Sequence, residues 1–335
     1  MRHRKKIFAI SAVAICITFA GCSSTSTLGT TATTMRTASS TSTTSGFSSQ
    51  AGWSSGERID RLGDLVSVSC PSSTFCVAVD YSGYEFTYSG GSWSRGLAVD
   101  SSLSSVSCPS STFCVAVDSN GAEFTYSGGS WSSGLALSSS LSSVSCPSST
   151  FCVAVGSDGY EFTYSRGSWS TGQDIDANGS LASVSCPSSS FCVAVDDSSG
   201  YEFTYSNGSW STGQDIDPTD TNLASVSCPS STFCVATDQS GAEFTYSEGS
   251  WSSFSAFNPP TMFLTASCPS SAFCAIVGAA NEFTYSGGSW SSGEEIDPYT
   301  TTENGTVEGE LTSVSCPSST FCVAVDYFGH EFTYK

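Results

Sequence analysis

The sequence predicts an all-β fold, a seven-bladed β-propeller of four-stranded blades closed by the N-terminal strand of the domain. Three observations carry that expectation. A unit of about forty residues recurs seven times, marked by cysteines at 70, 108, 146, 186, 228, 268 and 316. Tryptophans keep the same rhythm at 53, 93, 131, 169, 210, 251 and 290. The chain also ends after Phe332-Thr-Tyr334-Lys335, one strand short of a full unit, while a spare Trp53 strand precedes the first. Self-similarity at this period with four strand-length segments per unit is the signature of a propeller.

Each unit reads as four strands. In residues 103–131 these are Leu-Ser-Ser-Val-Ser-Cys, Phe-Cys-Val-Ala-Val, Glu-Phe-Thr-Tyr and a segment around Trp131. Turn-forming residues separate them: Cys-Pro-Ser-Ser, then Asp-x-x-Gly, then Ser-Gly-Gly-Ser. The first strand is lean and suits the crowded axis, whereas the aromatic later strands suit the wider rim. The second strand is apolar on both faces, as a blade packed on two neighbours requires. The spacing from first Cys to Trp hardly varies, so the connection after Trp absorbs the length changes. Because an open repeat array needs capping units, the spare N-terminal strand is expected to complete the last blade.

Fourteen cysteines fall in pairs spaced Cys-x5-Cys. These are Cys70 with Cys76, Cys108 with Cys114, Cys146 with Cys152, Cys186 with Cys192, Cys228 with Cys234, Cys268 with Cys274, and Cys316 with Cys322. Zinc sites favour closer pairs and often histidine, and the chain has only His3 and His330. A disulfide across the first hairpin of each unit is the expectation. Closing so short a loop contributes about 2 kcal/mol in the chain-entropy treatment.

The first residues read as an export signal of the lipoprotein type, residues 1–21. Arg2, Arg4, Lys5 and Lys6 precede an apolar run over residues 7–20, too short to span a bilayer comfortably. Phe19-Ala20-Gly21-Cys22 resembles a bacterial lipobox, which implies lipidation at Cys22. Phe19 departs from the aliphatic residue commoner there. Residues 22–52, mostly Ser, Thr, Gly and Ala, read as a flexible tether of roughly 30 Å, ahead of a repeat domain over 53–335. The expected location is the extracytoplasmic face of the cell membrane, lipid-anchored, as a monomer. The formal charge is −20, and loss of the signal takes away four basic residues and no acid, giving about −24. That charge argues against a nucleic-acid partner, which needs clustered Lys and Arg.

The run Ser-Val-Ser-Cys-Pro-Ser-Ser-Thr-Phe-Cys-Val-Ala-Val-Asp, followed by Phe-Thr-Tyr-Ser-Gly-Gly-Ser-Trp-Ser, resembles tandem repeats of secreted Gram-positive proteins. Those in turn resemble the propeller repeats of the BNR (Asp-box) and YVTN types. The resemblance covers residues 53–335 and implies architecture rather than activity, since such propellers host enzymes, binding platforms and scaffolds.

No catalytic set emerges. Ser157-Asp158-Gly159 and Tyr164 loosely echo an Asp-box hairpin, but Arg58, Arg61, Arg95 and Arg166 do not form the axial cluster that sialidase chemistry needs. His330 replaces Tyr or Ala of other repeats and reads as a surface substitution. Asp174-Ile-Asp176-Ala-Asn178-Gly179 matches the opening of a calcium loop, with hard oxygen ligands two residues apart. Asp215, Asp217 and Asp220 form a related set, so Ca²⁺ is the one cofactor the sequence suggests. Glu85, Glu123, Glu161, Glu202, Glu243, Glu282 and Glu331 share one repeat position, for which a structural role is expected. Turn acids Asp80, Asp118, Asp158, Asp196, Asp197, Asp238 and Asp326, with the acids of the variable connections, are expected to make one face of the disc acidic. Glu294, Glu295 and Asp297 lead that face, which would take a cation or a basic protein surface. The resulting reading is a tethered binding or scaffold module. The alternatives are a carbohydrate-active enzyme on the same scaffold and a structural or adhesive surface protein.

Overall fold

In the computed structural model the described residues are 52–335, except 178, 218–221, 253–254, 258–264, 299, 303–304 and 308. The lipobox and tether therefore lie outside them. Seven antiparallel sheets follow one another along the chain, and no helix occurs among the described residues. Blade 1 shows the pattern: Leu65–Ser72 at the axis, then Phe75–Asp80, then Tyr84–Ser89. An outer strand follows in two pieces, Ser92–Trp93 and Leu97–Ala98, both paired with Tyr84–Ser89. Blades 2 to 6 begin at residues 103, 143, 181, 223 and 265, and blade 7 at 311. A short hairpin, Thr300–Thr302 with Gly305–Val307, lies in the long connection before blade 7.

The outer strand differs from the single strand expected. It breaks because the aromatic ring of the third strand lies where a side chain would otherwise sit. In blade 2 a Cβ at Gly134, whose φ is +76°, would come within 2.6 Å of the Phe124 ring. The first hairpin is also tighter than the Cys-Pro-Ser-Ser turn implied. The strands run on to Ser72 and resume at Phe75, with a register shift between Ser69 and Ser72. Pro71 lacks an N–H and is tolerated at such an irregularity.

This hairpin brings the paired cysteines face to face, and each pair is bridged within its own blade. In blades 1 to 4, Cys70 bonds Cys76, Cys108 bonds Cys114, Cys146 bonds Cys152 and Cys186 bonds Cys192. In blades 5 to 7, Cys228 bonds Cys234, Cys268 bonds Cys274 and Cys316 bonds Cys322. Their Cα atoms are 4.1 Å apart in every blade. The second cysteine of each pair, Cys76, Cys114, Cys152, Cys192, Cys234, Cys274 or Cys322, is fully buried on the second strand. The bridge therefore ties the axial strand to the packed middle of its blade.

The core lies between blades rather than within them, as seven clusters, one per junction. Val77 and Val79 of blade 1 pack on Leu103, Val106, Cys108, Cys114, Ala116 and Phe124 of blade 2. On the other face, Cys76 and Ala78 belong to the cluster that receives Phe321, Val323 and Val325 of blade 7. This division is why the second strand is apolar at every position.

Closure follows the expected route. Glu57–Arg58 pairs with His330–Tyr334, in register Glu57↔Glu331 and Arg58↔His330, and Trp53 bridges Tyr334. The N-terminal strand thus occupies the outer place of blade 7, and Trp53 and Tyr334 join the core cluster between blades 6 and 7.

Hydroxyl groups stitch the inner edge. Ser67 Oγ and Ser69 Oγ of blade 1 accept hydrogen bonds from the backbone N–H groups of Val106 and Cys108 in blade 2, at 3.2 and 2.9 Å. The arrangement recurs round the ring, reduced to the single bond from Cys316 to Ser267 Oγ between blades 6 and 7, and closes where Val68 and Cys70 donate to Ser313 and Ser315. The first strand has no further strand beside it, so its unpaired amides would otherwise be orphaned in a crowded centre. The Ser-Val-Ser-Cys repeat supplies their acceptors.

Candidate functional site

The polar residues that recur in every blade are occupied in holding the ring. Each third-strand glutamate is buried, and its carboxylate accepts a hydrogen bond from the threonine two residues on, as Thr87 Oγ1 donates to Glu85 at 2.9 Å. The indole N–H of the next blade's tryptophan adds a weaker interaction, short of full hydrogen-bond geometry, that favours the ionised form. Trp131 serves Glu85, Trp169 serves Glu123, Trp53 serves Glu282 and Trp93 serves Glu331, so the series runs round the closure. Burial outweighs these contacts and raises the carboxyl pKa at all seven positions, up to about 7 at Glu282.

The turn aspartates are also structural. Asp80 Oδ1 accepts from the Tyr84 amide at 2.7 Å, and Asp118 Oδ1 from the amides of Asn120 and Ala122. Asp326 caps its turn in the same way and takes a further 2.8 Å contact from His330 Nδ1. His330 is therefore more than the surface substitution expected, since its ring nitrogen meets a buried carboxylate. Asp80, Asp118, Asp196, Asp238 and Asp326 are at most 2 % exposed. The acidic face is therefore smaller than expected: five of its seven turn aspartates are buried, because their turns need internal acceptors. Asp158, Asp174, Asp215, Glu294, Glu295 and Glu310 remain exposed, and Asp197 is half-buried.

The suggested calcium-loop residues separate. Asp174 and Asp215 lie exposed on outer strands, paired with Tyr160 and Tyr201. Asp176 turns inward and meets Asp196 of the next blade, and Asp217 is fully buried. Asn178 and Asp220 lie outside the described residues. Glu294 and Glu295 stand on the outer strand of blade 6, whereas Asp297 is buried beside Asp326. Among the described residues no group of three or more His, Cys, Asp or Glu gathers as a metal cluster.

One site breaks the repeat. A pocket of about 420 Å³ lies between the N-terminal segment and blade 1, lined by Ile59, Asp60, Arg61, Leu62, Tyr84, Phe86, Arg95 and Gly96. Arg95 stands in the outer-strand interruption, where the other units carry Ser or Thr. Leu62 is 70 % exposed. Arg58 donates from Nε to the Asp60 carbonyl and from Nη2 to the Arg61 carbonyl, which fixes the backbone of this wall. Two arginines and an apolar floor thus line one pocket in a strongly acidic protein. Sequence reasoning noticed these arginines but tested them only for convergence on the axis. The pocket forms off the axis, where the closing strand meets the first blade.

Fold and site together define a seven-bladed propeller with a rim pocket at its closure. No family model and no curated protein matches the sequence. Solved structures similar in fold include YCF48 bound to a D1 peptide, at 15 % identity and TM-score 0.64, covering 84 % of this chain and 96 % of that one. A catalytically inactive virginiamycin B lyase from Staphylococcus aureus with quinupristin aligns at 5 % identity and TM-score 0.69, covering 85 % and 99 %. A streptogramin B lyase aligns at 7 % identity and TM-score 0.71, covering 85 % and 97 %. At such identities the likeness is one of fold alone.

Proposed function

We propose that the protein is an exported binding module, tethered to the membrane through a lipidated Cys22, that captures ligands carrying a carboxylate beside an apolar group. The observation behind this reading is the pocket holding Arg61 and Arg95 next to Leu62, Tyr84 and Phe86. Guanidinium groups recognise carboxylates through paired, charge-assisted hydrogen bonds. The ring itself uses up the repeated Ser, Glu, Asp and Trp, so specificity rests with residues outside the repeat pattern. That a propeller of similar fold is found with a peptide bound makes a peptide carboxyl terminus a reasonable ligand class. The strongly negative surroundings would disfavour acidic macromolecules generally and confine anion capture to this pocket.

The test uses the mature protein, immobilised, against a hexapeptide pool with free carboxyl termini and the same pool amidated. Selective retention of the free acids is expected, falling at least about tenfold, or 1.4 kcal/mol, when Arg61→Ala and Arg95→Ala are combined. Equal retention of both pools, or loss only when Glu294→Gln and Glu295→Gln are combined, would instead favour a basic partner on the acidic outer strand. For the tether, Cys22→Ala should release the protein from the membrane, and a variant that stays membrane-bound at its mature size would refute lipidation.

A further inference from the structure

At some of the junctions between blades two carboxylates meet. At the junction of blades 7 and 1 these are Asp60, from the closing segment, and Asp80, at the end of the second strand of blade 1. Asp60 is 3 % and Asp80 0 % exposed. One oxygen of each is used: Asp60 Oδ1 accepts from the Leu62 amide and Asp80 Oδ1 from the Tyr84 amide. The other oxygen of each, Oδ2, is buried without a hydrogen-bond partner. The two carboxyl groups lie within hydrogen-bonding reach of each other, and neither carries a donor when ionised.

No guanidinium answers this charge. Arg58 spends its contacts on backbone carbonyls, and among the described residues neither Asp60 nor Asp80 has a cationic side chain within ion-pair distance. Two buried negative charges without compensation are strongly unfavourable. The other junctions show how the position is otherwise satisfied. Between blades 2 and 3 the equivalents are Ser138 and Gly156, and the one carboxylate there, Asp158, takes hydrogen bonds from Ser138 and Ser139. Between blades 6 and 7, His330 contacts Asp326, while Oδ2 of Asp297 opposite it is likewise buried without a hydrogen-bond partner. Between blades 3 and 4 the pair is Asp176 and Asp196, and a Cβ on Gly179 would lie 1.8 Å from Asp176 Oδ2 and 2.2 Å from Asp196 Oδ2. The absence of a side chain at Gly179 gives both oxygens room. In two other pairs the second-strand aspartate is relieved by a hydroxyl of its own turn, as Ser198 Oγ donates to Asp196 Oδ2 and Ser240 Oγ to Asp238 Oδ2, whereas Asp80 Oδ2 has no such donor.

We propose that the Asp60–Asp80 pair binds a Ca²⁺ ion that pins the closing segment to blade 1. A divalent cation neutralises two carboxylates, and Ca²⁺ accepts irregular oxygen sets completed by backbone carbonyls and water, whereas Mg²⁺ demands near-octahedral geometry. The site differs from the loop suggested by the sequence: of that loop only Asp176 enters a junction pair, and Asp174 faces solvent. Asp60 also borders the pocket assigned above, but the test reads bound Ca²⁺ rather than ligand retention, so the two assignments fail separately.

The full-length protein, stripped with EGTA and dialysed against about 1 mM Ca²⁺ at neutral pH, a concentration suited to extracellular sites, should retain Ca²⁺ by elemental analysis and melt at a higher temperature than the stripped protein. Combining Asp60→Asn with Asp80→Asn keeps both turn-capping oxygens and should lose one ion per chain. Asp60→Ser, which copies Ser138, provides a second variant should the first fold poorly, and should lose the same ion. Combining Glu294→Gln with Glu295→Gln should keep it. Absence of bound Ca²⁺ in the parent, or unchanged stoichiometry in the folded junction variants, would overturn the assignment. So would a melting temperature indifferent to Ca²⁺ but rising on acidification, because a shared proton would then hold the pair.

Discussion

Replacing Ser69 by Ala tests the inner-edge stitching directly. The substitution removes one oxygen and leaves the fold's apolar contacts untouched. Ser69 Oγ accepts the Cys108 amide at 2.9 Å, and Cys108 is 6 % exposed. Deleting the acceptor strands a buried donor, which costs about 1–3 kcal/mol. Ser67→Ala, whose contact with the Val106 amide is 3.2 Å, should fall at the lower end of that range. Both residues act on one edge, so the double variant need not be additive. Against a typical total of about 5–15 kcal/mol, a loss of this size is readily measured by urea denaturation followed through tryptophan fluorescence. Hydrogen exchange gives a local readout, in which the Cys108 amide should lose protection while the Cys146 amide, held by Ser107, keeps it. Ser110→Ala is the control, since Ser110 bonds only within its exposed turn. A Ser69→Ala change below about 0.5 kcal/mol, with Cys108 still protected, would mean that water at the axis replaces the hydroxyl and that the stitching contributes little.

The buried glutamates should make stability fall as pH rises through the acid-to-neutral range. Glu282 has its folded pKa raised from 4.5 to about 7, chiefly by burial, so the folded state binds more protons between those values and loses up to about 3 kcal/mol across them. Glu282→Gln should flatten the slope over that window, and an unchanged slope would show that the burial cost is met elsewhere. Deleting residues 53–58 removes the strand paired with His330–Tyr334 and exposes the blade 7 edge; broad melting and aggregation are expected, and a parent-like melt would contradict strand closure. Peptide mapping of the protein under non-reducing conditions should find seven disulfides, each within one blade, and any interblade bond or free thiol would refute the pairing.

Much of the architecture was legible because propeller geometry is written into spacing. The invariant distance from cysteine to tryptophan marks the blade, and the missing last strand beside a spare first one marks the closure. Alternation of Val and Ser in the first strand, and its absence in the second, reflects one packed face against two. The functional surfaces were less legible. Asp80 and Glu85 look like surface acids in the sequence, yet the turn amides and the threonine two residues on draw them inward. One signal was available: Ser138 and Gly156 change together at positions that hold two acids at most other junctions, a link visible only once the two positions are known to touch.

Periodicity and local chemistry were enough to set the strand-forming segments, their number, the disulfide spacing and the order in which blades follow. Which atoms meet across a junction came from the folded ring. Ser69 finds the Cys108 amide, Glu85 finds Trp131, Asp60 finds Asp80, and Arg61 and Arg95 come to line one pocket. Each pair is separated along the chain and brought together by the rotation of one blade against the next. Hydrogen bonds and charge interactions act over a few ångströms, so their partners are set by that rotation rather than by any local pattern of residues.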